Sequence, residues 1–142
     1  MSVPGALRDL PDETLELSED ITAYSAEQAE LESLIYQDPG HWVDLEVDRR
    51  WFVIGETPVG DHWLAGPDGG VWFFAAVHGE RSVDLFEPLH ISVTEWLILG
   101  HALGRFEKLD EPTDMDAARL DALVESISPG LAERYPYELP FA

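Results

Sequence analysis

Residues 51–78 read WFVIGETPVGDHWLAGPDGGVWFFAAVH, and this stretch decides the fold. It contains three short apolar runs, each with a tryptophan, and turn-forming residues separate them. Short apolar runs bounded by Gly, Pro and Asp are typical of β-strands. The sequence Pro67-Asp68-Gly69-Gly70 joins the second and third runs and is a strong hairpin signal. Because connections this short leave no room for helical crossovers, we expect the strands to pair antiparallel.

The residues before this stretch predict a helix and a further strand. Ser25-Ala-Glu-Gln28 has the form of a capping box, with a hydroxyl at the N-cap and an amide three residues later. A helix is therefore predicted from about Ala26 to Tyr36, and Asp38-Pro39-Gly40 ends it. Residues Trp42–Val47 alternate apolar and polar side chains, which indicates a half-buried strand. The apolar residues of the predicted helix are Ala29, Leu31, Leu34 and Ile35.

The residues after the stretch predict two more helices. Ser92-Val-Thr-Glu95 is a second capping box, and the helix that it opens is expected to run to about Phe106. Gly100 and Gly104 lie on one face of that helix, where we expect it to approach another element closely. Thr113 opens a third helix with an apolar stripe along one side.

Together these elements predict a single α+β domain over residues 1–142. Its sheet is expected to be an antiparallel or mixed meander of about four to six strands, flanked by N-terminal and C-terminal helices. Residues Ser82–Phe86 are a candidate for a further strand. With 45% apolar and 11% aromatic residues, the chain has ample material for a core.

The chain is strongly acidic, with 29 Asp and Glu against 8 Lys and Arg, which gives a net charge of −21. Residues 1–60 hold 3 basic and 14 acidic side chains, and residues 61–142 hold 5 and 15, so the acidity is not confined to a tail. Such a field repels nucleic acid and anionic lipid and speeds encounter with basic partners. General solubility or adaptation to salt accounts for the same composition, and both interpretations stay open.

Several classes of protein are excluded or disfavoured by composition. The chain has no cysteine, which excludes disulfides and thiolate metal sites. Its start has neither a basic region nor an apolar run, so no secretion signal is predicted. The apolar runs of the chain, Trp96–Leu99 among them, are far too short to span a membrane. We therefore expect a cytoplasmic location.

Short motifs across residues 51–106 carry a family resemblance. They are Ile54-Gly55-Glu56, Gly60-Asp61, Gly70-Val71-Trp72-Phe73-Phe74, His78 and the capped helix Ser92-Val93-Thr94-Glu95-Trp96-Leu97. This pattern resembles the SUKH superfamily, which includes the fungal Smi/Knr cell-wall regulator domain and many bacterial proteins. The resemblance implies an α+β fold and a binding role, in bacteria often that of an immunity protein that neutralises a toxin. Many such toxins are nucleases, which tend to be basic.

No catalytic, cofactor-binding or metal-binding site is predicted. Asp61 and His62 are neighbours on a strand, so their side chains point to opposite faces and do not easily share an ion. The histidines follow no spacing that is typical of metal ligands. Ser25 and Ser92 are better explained as helix caps than as nucleophiles. The glycine-rich residues 66–70 lack lysine and precede a strand, which disfavours phosphate binding.

The first hypothesis is therefore a non-enzymatic protein-binding domain, an immunity protein that binds and neutralises a basic toxin such as a nuclease. The alternative is an intracellular regulatory or scaffold module without a toxin partner, and a small metal-dependent enzyme ranks below both. We expect no cofactor, no nucleic acid or membrane partner, and a monomer or weak homodimer. The predicted partner-binding residues are Asp12, Glu13, Glu16, Glu19, Asp20, Glu27, Glu30, Glu56, Asp61 and Trp63, with Glu32 beside them on the first helix.

Overall fold

The chain folds into helices that flank one sheet, as the computed structural model shows for residues 7–36, 51–78 and 85–139. The strands are β1 (Leu15–Glu16), β2 (Thr22–Ala23), β3 (Phe52–Glu56), β4 (His62–Ala65), β5 (Gly70–Phe74) and β6 (Glu87–Ser92). The helices are α1 (Ala26–Tyr36), α2 (Val93–Glu107), α3 (Asp114–Ile127) and α4 (Leu131–Arg134), with a 3₁₀ turn at Ala76–His78. The predicted α+β single domain is confirmed.

The six strands form one antiparallel sheet in the order β1-β2-β3-β4-β5-β6, so each strand pairs with its neighbour in sequence. Gly60 and Gly69 have φ angles of 89° and 81°, which other residues rarely adopt, and each lies in the tight turn of a hairpin. In the second turn, Asp68 Oδ1 accepts hydrogen bonds from Gly70 N at 3.0 Å and Trp72 Nε1 at 3.1 Å. The predicted hairpin is confirmed.

Aromatic side chains pack against both faces of the sheet. Trp63 pairs with Phe73 across β4 and β5, and their rings lie on one face with that of Trp96 from α2. Strand alternation places Trp72 and Phe74 on the opposite face. There the ring contacts are Trp51 with Trp72 at 5.3 Å, Trp51 with Phe86 at 4.8 Å and Phe74 with Phe86 at 5.5 Å. Both faces of the central strands are therefore core.

The predicted helices are confirmed. The bounds of α1 are those predicted, and Ser25 Oγ accepts a hydrogen bond from Gln28 N at 3.1 Å. The other half of the predicted capping box does not form, because Gln28 Nε2 donates to Glu32 and Ser25 N donates to Thr14 Oγ1. Complete capping boxes open α2 at Ser92 and α3 at Thr113. Three strands, β1, β2 and β6, and the helix α4 were missed. The predicted strand Trp42–Val47 and most of Ser82–Phe86 lie outside the described residues.

Candidate protein-binding surface

The predicted partner-binding carboxylates do not form one cluster. Glu19, together with Asp12, Glu13 and Glu16, is exposed along the N-terminal segment, whereas Glu27 and Glu30 are exposed on α1. Glu56 is exposed at the end of β3, and Asp20 and Asp61 are half-buried. The fold therefore gives these residues different environments and different roles.

Trp63 is removed from the candidate interface. Its side chain has no exposed surface, and its Nε1 donates a hydrogen bond to the Asp20 carbonyl at 2.9 Å. Rings from the sheet, from α2 and from the C-terminal segment surround it, with Tyr135 stacked 5.9 Å away. A side chain enclosed in this way cannot contact a partner while the protein is folded. The expectation that Trp63 binds a partner is corrected, because both faces of its strand are covered.

Hydrogen bonds from three parts of the chain tie Asp61 into the structure. Its Oδ1 accepts from Ala76 N at 2.7 Å, its Oδ2 accepts from the Tyr137 hydroxyl, and its own backbone N–H donates to Thr57 Oγ1 at 3.1 Å. Burial and the bond to this carboxylate raise the pKa of Tyr137 above its ordinary value. These bonds fasten the C-terminal segment and the turn after β5 to the β3–β4 hairpin. They support a structural role for Asp61.

The outward face of α1 is apolar, contrary to the usual pattern of a helix packed on a sheet. Ala29 and Ser33 are buried, and Ser33 Oγ accepts a hydrogen bond from Val53 N of β3 at 2.9 Å. Leu31, Leu34 and Ile35 are instead 55%, 66% and 59% exposed. Contiguous exposed aliphatic side chains are typical of an interaction site.

Two glutamates border this apolar face. Glu27, Glu30, Leu31 and Leu34 follow the spacing i, i+3, i+4 and i+7, which places them on one side of the helix. Neither glutamate side chain is hydrogen-bonded or ion-paired with another described residue. The helix AEQAELESLIY contains no Lys or Arg. We call Glu27, Glu30, Leu31, Leu34 and Ile35 the α1 surface; its centre is apolar and its border is negatively charged.

A second acidic site lies between the N-terminal segment, α2 and the C-terminal segment. It is a groove of about 550 Å³ bordered by four carboxylates, those of Glu19, Asp20, Glu107 and Glu138, over an apolar floor of Leu103, Phe106, Leu109, Pro112 and Leu139. Burial, and then the neighbouring Glu19, raise the pKa of Asp20. Burial also raises the pKa of Glu107, although its carboxylate accepts hydrogen bonds from Glu19 N at 2.9 and 3.2 Å. We call this the acidic groove.

Some carboxylates of both sites are predicted from the sequence, but the residues that surround them in the fold are not. Glu27 and Glu30 of α1 are among the predicted residues, as are Glu19 and Asp20 of the N-terminal segment. Glu107 and Glu138 were missed, and no local pattern singles them out, because only the packing of α2 and the C-terminal segment brings them to the groove. The apolar centre of the α1 surface was missed as well, since the sequence shows that those residues are apolar but not that they face outward.

The described part of the chain offers no cluster for a metal ion. In residues 7–36, 51–78 and 85–139, no three His, Asp or Glu side chains are placed to hold an ion together. The structure does not describe the His78 side chain. None of the helices described is long and apolar enough to cross a membrane.

In comparisons with known proteins, no family model, curated protein or solved structure matches this chain.

Proposed function

We propose that this protein binds a basic protein partner through the α1 surface, and that it acts in the cytoplasm as an immunity protein against a basic toxin such as a nuclease. The observation that carries the proposal is the exposed cluster of Leu31, Leu34 and Ile35, bordered by glutamates that pair with no described residue. The SUKH resemblance of residues 51–106 supports the immunity role, which stays a prediction from sequence.

The chemistry of the α1 surface indicates what the partner must present. Apolar side chains at the centre of an interface supply most of the affinity once water is excluded around them. Each of the three aliphatic side chains is worth up to roughly 1.5–3 kcal/mol when a partner buries it completely. Lys or Arg side chains around an apolar patch on the partner would pair with Glu27 and Glu30. The α1 surface thus fits a partner that is apolar at its centre and basic at its border.

The charge of the whole chain acts before contact. A net charge of −21 attracts a basic protein over roughly 8 Å in physiological salt and further in dilute buffer. Such steering raises the association rate more than it slows dissociation. The acidic groove offers four carboxylates to a Lys or Arg side chain of the same partner. A nuclease covered in this way would lose access to its substrate.

The test needs the partner that an immunity role implies. An immunity role predicts that the adjacent reading frame encodes a large secreted protein with a basic C-terminal domain. We would express that domain and measure its toxicity and nuclease activity with and without this protein. Neutralisation at equimolar ratio, with an association rate that falls as salt is raised, is the expected result. A toxic domain that remains active in the presence of this protein would overturn the immunity role. A pull-down from the native cells that recovers only housekeeping proteins would overturn it as well.

A charge-reversal pair locates the interface. Glu27→Lys with Glu30→Lys is expected to weaken binding at least about tenfold. Asp121→Lys with Glu133→Lys changes the net charge equally at exposed sites on α3 and α4 and serves as the matched control. A similar loss in both variants would mean that net charge alone matters and would contradict the assignment to α1. Circular dichroism would verify that both variants are folded.

A further inference from the structure

A second surface of the molecule is also apolar, but its charged residues have the opposite sign to those of the α1 surface. A groove of about 480 Å³ runs between α2 and α3. Its apolar lining comes from Ile98, Ala102, Phe106, Leu109, Leu120 and Leu123. Ile98, Leu109 and Leu123 remain exposed although they line the groove, so the packing of α3 on α2 leaves apolar surface open. We call this the α2–α3 groove.

The polar residues that line the α2–α3 groove are mainly basic. Arg105 and Arg119 are two of only 8 Lys and Arg residues in the chain, and His101 lies beside them. The Arg105 side chain makes no hydrogen bond or ion pair with a described residue, whereas that of Arg134 makes three hydrogen bonds. The one acid of the lining, Asp116, accepts hydrogen bonds from Thr113 at 2.9 and 3.0 Å and is held at the start of α3. The groove is therefore an apolar channel bordered by guanidinium groups.

A channel between two helices is suited to a third helix, which places side chains at i, i+3 and i+4 into it. The floor of the α2–α3 groove calls for aliphatic side chains at those positions, and Arg105 and Arg119 call for carboxylates beside them. The α1 surface supplies this combination: Leu31, Leu34 and Ile35 have that spacing, and glutamates border them.

We propose that α1 of one copy of this protein docks into the α2–α3 groove of a second copy. The aliphatic side chains of the α1 surface would enter the apolar channel, and its glutamates would pair with Arg105 and Arg119. The two contacting surfaces are different, so the contact is heterologous. Each copy then offers one helix and one groove, and association continues into rings or chains unless an end is blocked.

The strength of this contact is limited by size and by charge. The α1 surface presents three aliphatic side chains, far fewer than the roughly 20–30 residues that each partner contributes to a stable interface. Two copies of net charge −21 also repel each other, although salt of about 0.15 M screens the repulsion beyond about 8 Å. We therefore expect weak association, with Kd in the range of about 10 µM to 1 mM.

Sedimentation of the full chain tests the proposal. In physiological salt, the average mass is expected to rise from the monomer value of 15.9 kDa toward twice that value or more as concentration rises across the Kd range. Leu34→Asp on the α1 surface and Leu123→Asp in the groove should each remain monomeric. Val59→Asp adds the same charge at an exposed apolar residue of the β3–β4 turn and should associate as the wild type does.

A mixture of the two monomeric variants gives the sharpest result. Leu34→Asp retains an intact groove and Leu123→Asp retains an intact α1 surface, so a heterologous contact predicts a 1:1 heterodimer that grows no further. A mixture that stays monomeric while the wild type associates would overturn the proposal, because the two variants together still present one intact α1 surface and one intact groove. A wild type that is monomeric at about 1 mM would overturn it as well.

Self-association requires only surfaces of the chain itself, so it stands or falls independently of the proposed function. Self-association without neutralisation of any toxin would support the groove and contradict the immunity role, and the reverse result would do the opposite. If both hold, a basic partner and a second copy compete for the α1 surface. The partner should then dissolve the assemblies, and Leu123→Asp should bind the partner as tightly as the wild type does.

Discussion

Gly104 determines how closely α2 can approach the N-terminal segment. A Cβ atom at this position would lie 1.8 Å from the Leu17 carbonyl oxygen, and one at Gly100 would lie 2.8 Å from Leu17 Cδ1. The obstacle at Gly104 is backbone, which cannot rotate away as a side chain can. The close approach that was predicted from the two glycines is confirmed, although the sequence did not indicate that Leu17 would be the neighbour.

Gly104→Ala is therefore expected to destabilise the fold by about 2–4 kcal/mol, even though alanine favours helices more than glycine does. Urea unfolding followed by fluorescence would measure the loss. Thr94→Ala, at an exposed position of the same helix, is the control and should change stability by less than about 0.5 kcal/mol. A Gly104→Ala variant as stable as the wild type would show that α2 does not lie this close to residue 17.

At the scale of elements, the sequence predicted what local chemistry encodes. Capping boxes opened α2 and α3 where expected, because the cap residues satisfy helix N–H groups whatever the tertiary context. The strand β6 was missed because it contains Pro88 and runs directly into α2, so its sequence lacks a clear strand pattern. Pairing with β5, and not local preference, stabilises it. The orientation of α1 was also missed. Spacing shows which residues share a face, but only contacts with β3 show which face is buried.

The caps themselves are testable elements. Ser92 Oγ accepts from Glu95 N at 3.1 Å, and Thr113 Oγ1 accepts from Asp116 N at 3.1 Å. Ser92→Ala and Thr113→Ala are each expected to cost about 1 kcal/mol, and the double variant about the sum, because the caps open separate helices. Thermal unfolding would measure each loss. If neither substitution lowers the unfolding temperature, the caps do not stabilise the fold, and something other than the caps determines where α2 and α3 begin.

At the scale of the whole molecule, the aromatic residues form the interior and the acids form the exterior. Trp63 and Trp96 are fully buried on one face of the sheet, and Trp51 packs on the other, so these tryptophans are unavailable to a partner. The candidate sites come instead from an outward-facing helix and from carboxylates that converge across distant parts of the chain. A sequence reveals that acids are abundant, but the meeting of Asp20 with Glu107 depends on tertiary packing.

The carboxylates of Asp20 and Glu107 make stability depend on pH. Their pKa values are raised in the folded protein, chiefly by burial and with repulsion from neighbouring acids. A group with a raised folded pKa binds its proton more tightly when folded, so these groups favour the folded state increasingly as pH falls from 7 toward their unfolded values of about 4. As pH rises through the folded pKa, that contribution is lost.

Asp20→Asn with Glu107→Gln should therefore stabilise the protein at pH 7 by roughly 0.5–1 kcal/mol. The gain is small because Asp20 is only half-buried and Glu107 is exposed, so solvent screens their charges. The amide oxygen that Glu107→Gln introduces can still accept the hydrogen bond from Glu19 N. Asp110→Asn with Glu111→Gln removes two exposed charges from the loop between α2 and α3 and controls for the change in net charge. Urea unfolding at pH 7 and at pH 4.5 would show the gain at pH 7 shrink as pH falls. An equal gain in both double variants would mean that the lower net charge of the molecule causes the stabilisation, and not the loss of the two carboxylates of the acidic groove.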